Sequence, residues 1–143
     1  MKTKFTLLFI LLLVAVTASA CGGASSVPQG EMVSILTQQE AIDMIGSALQ
    51  AFNTGDYAVW SRDWDSAMKS MIDEKSFQEY RNQILATYGQ YVSLESVDIQ
   101  PGTNKGYVRW VAIANFEKGK IKFGFGFLSD GREITGILPE AVE

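Results

Sequence analysis

The chain has 143 residues, with 12 basic and 16 acidic side chains and no histidine. This length suits one domain with a sizeable hydrophobic core and is too short for two domains of ordinary size. Histidine is the commonest general base and the commonest metal ligand, so its absence excludes histidine-based nucleophilic triads, and we expect neither a metal nor a cofactor.

The first 20 residues have the three parts of an export signal. Two lysines precede an apolar run from Phe5 to Val16, and small residues follow as far as Ala20. The apolar run is too short to span a bilayer comfortably. We therefore interpret residues 1–20 as a signal peptide that is removed on export.

Cys21 directly follows this segment and is the only cysteine. Residues 18–21, Ala-Ser-Ala-Cys, resemble the lipobox of bacterial lipoproteins, in which the thiol is lipidated and the signal is cut just before it. Ala18 stands where that motif prefers leucine, and ordinary cleavage that leaves a free thiol is the alternative. A lone thiol has no disulfide partner, whereas two or three acyl chains hold a soluble domain stably on a membrane. The sequence thus predicts a lipid on Cys21 and a location on the outer side of the cell membrane or outer membrane.

The exported part is acidic, with ten basic and 16 acidic side chains. Nucleic-acid binding needs clustered Lys and Arg to neutralise phosphates, so this class of partner is excluded. Anionic headgroups should also repel the domain, which leaves the lipid as its anchor. Residues 21–36 are small and polar at first and lack a sustained period, so we expect a tether there, followed by one domain over residues 37–143.

Capping residues and apolar periodicity predict three helices. They run from the capping box Thr37–Glu40 to Gly55, from Asp56 to about Ile72, and from Asp73 to Gly89. The end of the first helix and the start of the second bring four rings to one corner: Phe52, Tyr57, Trp60 and Trp64. A following sheet must close over this corner to complete a core.

After Gly89 the apolar period changes from about 3.6 to 2, which indicates strands. The predicted strands run from Tyr91 to Ile99, Tyr107 to Phe116, Ile121 to Leu128 and Ile134 to Leu138. In the third strand Phe123, Phe125 and Phe127 share one face, and two glycines share the other. The chain is therefore predicted to be an α+β domain in which three N-terminal helices cover one face of an antiparallel sheet of about four strands.

The order of elements and several motifs resemble the nuclear transport factor 2-like superfamily, and more narrowly the bacterial family called domain of unknown function 3887. The shared features are Ala51–Tyr57, Asp65–Met71, Phe77 with Tyr88–Tyr91, and Phe116–Gly119 leading to Asp130–Gly136. The resemblance covers roughly Thr37 to Leu138. It implies a cone in which helices pack on a curved sheet, occurrence on exported lipoproteins, and a homodimer formed through the open sheet face. It supplies no catalytic residues.

Asp63 and Asp65 flank Trp64, and a carboxylate held against an indole can have the raised pKa that acid/base chemistry needs. Residues two apart on a helix point in different directions, so a solvated or capping role is favoured over a catalytic pair. Gly124-Phe125-Gly126 is not a dinucleotide fingerprint, because it lies inside a strand and no helix follows. Arg109 is predicted on the outward face of its strand, with an anion anchor inside the cone as the alternative.

Six aromatic residues are the candidates for lining a cavity at the open end of the cone: Tyr57, Trp60, Trp64, Trp110, Phe123 and Phe125. The alternative is that they form hydrophobic core. The sequence favours a non-catalytic, lipid-anchored module that binds a small apolar molecule or another envelope protein. Two alternatives stay open: a small lyase or isomerase that uses a pocket carboxylate such as Asp63, and a structural part of a surface assembly.

Overall fold

The computed structural model describes residues 34–102 and 104–140. It contains α1 (Gln38–Thr54), α2 (Tyr57–Trp60), α3 (Ser66–Met71), α4 (Glu74–Tyr88), β1 (Tyr91–Pro101), β2 (Tyr107–Phe116), β3 (Gly119–Leu128) and β4 (Ile134–Glu140). The signal peptide, the lipid on Cys21 and most of the tether are predictions that lie outside the described residues. At the start of the described part, Leu36 is buried and the Ile35 amide donates to the Ser129 carbonyl oxygen at 3.1 Å. The end of the predicted tether therefore packs on the domain.

The first helix begins and ends where the sequence predicts. The Thr37 hydroxyl accepts from the Glu40 amide at 3.2 Å, and the Glu40 carboxylate accepts from the Thr37 amide at 2.9 Å. These two bonds satisfy backbone donors that have no partner inside the helix. At the other end Gly55 has φ of 74°, the left-handed conformation that glycine adopts without strain.

The predicted second helix is wrong in its middle, because the chain forms two short helices instead of one. Between α2 and α3, residues 61–63 form a turn, and Trp64 then forms an isolated parallel bridge with Ile134. The Ile134 amide donates to the Asp63 carbonyl oxygen at 2.8 Å, and the Asp65 amide donates to the Ile134 carbonyl oxygen at 3.0 Å. The Asp65 carboxylate then caps α3 by accepting from the Met68 amide at 2.7 Å. These bonds replace helical ones and hold α3 against the start of β4.

The fourth helix, α4, follows the cap Asp73 and stops before Gly89, as predicted. Its Arg81 side chain reaches the last turn of α1. There Arg81 Nε donates to the Phe52 carbonyl oxygen at 2.6 Å, and Nη2 donates to the Asn53 carbonyl oxygen at 3.2 Å. Since the last carbonyl groups of a helix lack partners within it, Arg81 completes α1 and joins the two long helices.

The four strands form one curved, unclosed antiparallel sheet in the order β1-β2-β3-β4. The pairing of β2 with β3 runs without a register shift from Tyr107 opposite Leu128 to Phe116 opposite Gly119. Residues 117 and 118 are therefore the two-residue loop of a hairpin. Strands β1 and β4 both continue beyond their predicted ends, as far as Pro101 and Glu140.

Two side chains of α1 cap the free edge of β1. Asn53 Nδ2 donates to the Tyr91 carbonyl oxygen at 2.8 Å, and Asn53 Oδ1 accepts from the Tyr91 amide at 2.9 Å. Further along, Gln38 Nε2 donates to the Val97 carbonyl oxygen at 2.8 Å. Both amide side chains thus form hydrogen bonds with backbone groups that would otherwise be available to a strand of another chain.

The two faces of β3 differ as its alternation predicts. Phe123, Phe125 and Phe127 are buried in the core. The ring of Phe123 lies 6.3 Å from that of Phe52 in α1, so the sheet closes over the aromatic corner. On the outer face a Cβ at Gly124 would meet the guanidinium of Arg109, which confirms the outward position of Arg109 and shows that the glycine leaves space for that side chain to lie across the strand.

Helices on one face of a four-stranded antiparallel sheet confirm the predicted α+β class, and the arrangement is consistent with a nuclear transport factor 2-like cone. The predicted number of helices is corrected from three to four over residues 34–102 and 104–140. Within these same residues no helix has both the length and the apolar character needed to cross a membrane.

Candidate functional site

The aromatic corner fixes the positions of two tryptophans. The Trp60 ring stacks on Phe77 with centroids 4.4 Å apart and meets the Trp64 ring edge-on at 4.3 Å. Tyr57 contacts Trp64 edge-on at 6.3 Å, and its hydroxyl donates to the Ile72 carbonyl oxygen at 2.6 Å. Aromatic pairs of this kind contribute about 0.5–1.5 kcal/mol each beyond their buried area. The corner is therefore held by several mutually supporting contacts.

An apolar cavity of about 280 Å³ lies beside this corner. Its wall comes from α2, α3 and α4, from the segments that follow α2 and α3, and from β4: Trp60, Trp64, Met68, Ile72, Ser76, Tyr80, Ile137 and Pro139. None of these side chains is charged at neutral pH. The volume is close to the lower end of the range of about 300–1,000 Å³ that is usual for small-molecule sites. The cavity is therefore suited to a small, uncharged molecule.

Two side chains of the cavity wall carry hydrogen-bond donors that have no partner among the described residues. They are the Trp64 Nε1 and the Tyr80 hydroxyl, and both atoms are buried. A buried polar atom without a partner costs about 1–3 kcal/mol, and such atoms are rare in native proteins. The wall therefore has hydrogen-bonding capacity that the fold itself does not use.

The protonation of Tyr80 follows from its surroundings. Burial raises the pKa of Tyr80 to about 12, because desolvation disfavours the charged phenolate. Its ring packs edge-on against Phe52 at 5.7 Å and lies 6.3 Å from Trp60. At neutral pH the hydroxyl is therefore protonated and is able to donate a hydrogen bond.

The two carboxylates that flank Trp64 have other roles. Asp65 caps α3, which confirms the capping role that the sequence favours for this position. Asp63 pairs with the neighbouring Arg62, whose Nη2 lies 2.6 Å from Asp63 Oδ2. Neither carboxylate is part of the cavity wall. Over the part of the chain that the structure describes, no three His, Cys, Asp or Glu side chains are grouped so as to hold a metal ion.

Two of the six candidate aromatic residues, Trp60 and Trp64, border this cavity, and both also belong to the buried hydrophobic core. Tyr57 contacts both of them from outside the wall. The remaining three, Trp110, Phe123 and Phe125, are buried in the hydrophobic core. The structure therefore brings the two tryptophans of the corner together at the cavity. It places Trp110, Phe123 and Phe125 on the face of the sheet that packs in the core.

Sequence reasoning missed the other residues of the wall. Met68, Ile72 and Tyr80 are recognisable in the sequence only as apolar positions of their helices. The one available signal is the tyrosine in the buried stripe of α4, since a buried hydroxyl needs a partner. The bridge between Trp64 and Ile134 determines which side chains lie opposite Ile137. No local sequence pattern reveals a bridge between residues 70 positions apart.

A second groove, of about 290 Å³, lies on the outer face of the sheet. Four glycines form part of it: Gly102, Gly124, Gly126 and Gly136. Glu140 pairs there with Arg109 and with Lys122, whose Nζ lies 2.8 Å from Glu140 Oε2. Hydrogen bonds from Lys122 and then Arg109 lower the pKa of Glu140. The exposed side chains of Tyr107 and Leu138 also line this groove, whose charged groups are therefore already paired with one another.

Comparison with known protein families gives a match. A family model described as "Protein of unknown function (DUF3887)" matches residues 47–136. This range is more than half of the chain, and it includes the aromatic corner, α2, α3, α4 and the start of β4. No curated protein matches the chain.

Proposed function

We propose a binding function for this chain, which belongs to the family of proteins of unknown function DUF3887. The protein is a non-catalytic, lipid-anchored domain of the cell envelope, and it takes a small apolar molecule into the cavity beside Trp60 and Trp64. The family description names no activity, and the support for binding comes from the cavity. The observation that carries it is a cavity of about 280 Å³ whose lining side chains are all uncharged.

The size and the lining of the cavity support this choice of ligand. An engineered apolar cavity of about 150 Å³ is enough to bind benzene. A cavity of about 280 Å³ therefore suits a molecule of roughly ten to twelve non-hydrogen atoms. Removing apolar ligand surface from water contributes about 25 cal/mol per Å², and the three aromatic rings of the wall offer broad apolar contact.

Catalysis receives no comparable support. Proton abstraction by a pocket carboxylate needs a base within hydrogen-bonding distance of the substrate. Among the residues that the structure describes, no Asp or Glu lines the cavity, and Asp63, the candidate base in the sequence, is paired with Arg62 outside the wall. Binding of an apolar molecule needs only the side chains that line the cavity, whereas catalysis would need an additional carboxylate.

The lipid anchor and the envelope location are supported by the sequence pattern before residue 22. Lysines, an apolar run and small residues precede Cys21, and the remaining chain is acidic. Membership of the nuclear transport factor 2-like superfamily also belongs to the proposal, supported by the order of helices and strands. An anchored domain of this kind would hold its cavity close to the membrane surface.

Ligand binding is tested with indane, an apolar bicyclic molecule of suitable size, added to the exported protein. We expect saturable shifts of the Trp60 and Trp64 indole N–H signals in ¹⁵N NMR spectra. Ile137→Phe, which adds bulk to the cavity wall, should abolish the shifts. The matched control Leu138→Phe places the same ring on the next residue, which is exposed and outside the wall, and should bind like wild type. Absence of saturable shifts in wild type, or equal binding by both variants, refutes the proposal.

Lipid anchoring is tested by Cys21→Ser, which removes the thiol that would carry the acyl chains. We expect the variant to move from the membrane fraction to the soluble fraction, whereas Ala24→Ser, which introduces the same residue three positions later, should stay with the membrane. Retention of the Cys21→Ser protein on membranes would count against the anchor.

A further inference from the structure

We propose that the molecule bound in the cavity is neutral and carries a hydrogen-bond acceptor, such as the carbonyl oxygen of a ketone, ester or amide, that the Tyr80 hydroxyl and the Trp64 indole N–H bind. This inference rests on the proposed function, because it names the chemistry of the ligand of the same cavity.

The need for an acceptor follows from the two donors of the wall. An indole N–H is a donor only, so nothing but an acceptor satisfies Trp64. The Tyr80 hydroxyl is protonated at neutral pH and supplies a second donor. Neither atom has a partner among the described residues, although each residue belongs to the cavity wall. A purely apolar ligand would leave both donors unsatisfied, whereas an acceptor would give them the partner they lack.

The lining also decides between a neutral acceptor and an anion. No Lys or Arg side chain belongs to the wall, and the exported chain has an excess of acidic residues. Burying a carboxylate without a paired cation costs far more than two hydrogen bonds return. A carbonyl oxygen accepts the same two bonds without that cost.

Binding requires a small movement of the wall. Neither the Trp64 Nε1 nor the Tyr80 hydroxyl is exposed to solvent. Trp64 is fixed by its bridge to β4 and by its contact with Trp60. Tyr80 is half-buried on α4, so we expect its ring rather than that of Trp64 to shift and admit the acceptor. We therefore expect Tyr80 to respond most strongly to the ligand.

The test compares indane with 1-indanone, which has the same ring skeleton and one added carbonyl group. Dissociation constants are measured for wild type, Tyr80→Phe and Trp64→Phe. Loss of one hydrogen bond should weaken 1-indanone binding by about 2- to 10-fold in Tyr80→Phe and leave indane binding within about 2-fold. Tyr88→Phe removes a hydroxyl from the same helix outside the wall, and it should change neither constant.

The outcomes separate this inference from the proposed function. If neither probe binds wild type, the proposed function fails. If both probes bind and neither variant changes the ratio of their dissociation constants, the cavity binds apolar molecules but the acceptor inference fails. If Trp64→Phe does not fold, the Trp64 indole N–H signal of wild type is measured instead. A downfield shift that is larger with 1-indanone than with indane supports the inference, and equal shifts overturn it.

Discussion

Replacing Phe125 by alanine tests how the sheet contributes to the core. The Phe125 side chain is 1% exposed, and its ring lies 6.2 Å from that of Phe123. Its strand neighbours in register are Trp110 on β2 and Ile137 on β4. Truncation therefore removes a ring at the centre of the sheet, where the surrounding strands cannot collapse to fill the space.

The magnitude follows from the buried area and the space left behind. A phenylalanine buries roughly 150–200 Å², of which alanine retains a part, so about 100 Å² of apolar contact is lost. At about 25 cal/mol per Å² this is ~2.5 kcal/mol of the free energy of unfolding. The cavity left by the ring raises the expected loss to about 3–5 kcal/mol.

The assay is urea unfolding followed by tryptophan fluorescence, with the slope m compared between proteins so that the midpoints report stability. Leu138→Ala is the matched control, because Leu138 is 58% exposed and lies on the outer face of the neighbouring strand. It should change the free energy of unfolding by no more than about 0.5 kcal/mol. A loss below about 1 kcal/mol for Phe125→Ala, or an equal loss for Leu138→Ala, would refute the reasoning.

Three further substitutions test contacts outside the cavity. Arg81→Met keeps the length of the side chain but removes the donors that cap α1, so we expect a loss of about 1–3 kcal/mol in urea unfolding, and an unchanged midpoint would contradict the cap. Hydrogen bonds with Thr37 and Arg132 lower the pKa of Glu40 from 4.5 to about 2, so its stabilising contribution is complete above pH 4.5 and is lost as the pH falls toward 2. Glu40→Gln should therefore flatten the dependence of stability on pH in that window, and an unchanged profile would refute the assignment. Gly89 has φ of 75° and ψ of −160°, a conformation open almost only to glycine, and Gly89→Ala should cost about 1–3 kcal/mol. Gly136→Ala is the control, since nothing lies within 4 Å of an added Cβ there; an equal loss at both glycines would argue against strain at Gly89.

The elements that the sequence predicts well are those whose signals are local. The capping box at Thr37–Glu40 and the left-handed Gly55 define α1 without help from the rest of the chain, and both are found in the structure. The three phenylalanines of β3 likewise share one face because side-chain direction alternates along any strand. Strand ends were predicted less well, because Pro101 and Glu140 pair with residues of a neighbouring strand rather than following a pattern of their own.

The division of the second helix could not be predicted from its apolar spacing. Tyr57, Trp60, Trp64 and Met68 fit one helical stripe, yet the backbone at Trp64 pairs with Ile134. A contact between segments so distant in sequence overrides the local preference. The same bridge places α3 and β4 around the cavity. The cavity therefore could not be predicted from apolar spacing either. The sequence indicates that Trp60 and Trp64 are important, but all four rings are buried, and it does not distinguish these two, which border the cavity, from Trp110 and Phe123, which do not.

The capped edge of β1 has a consequence for crowded surroundings. A sheet edge with unused amide and carbonyl groups recruits strands from other chains, and that recruitment is the first step toward insoluble assemblies. Asn53 and Gln38 fill such groups at two points of β1 from within the same molecule. On the membrane surface that the proposed lipid anchor implies, neighbouring copies would collide often, and the two capped points would hinder pairing between their β1 edges.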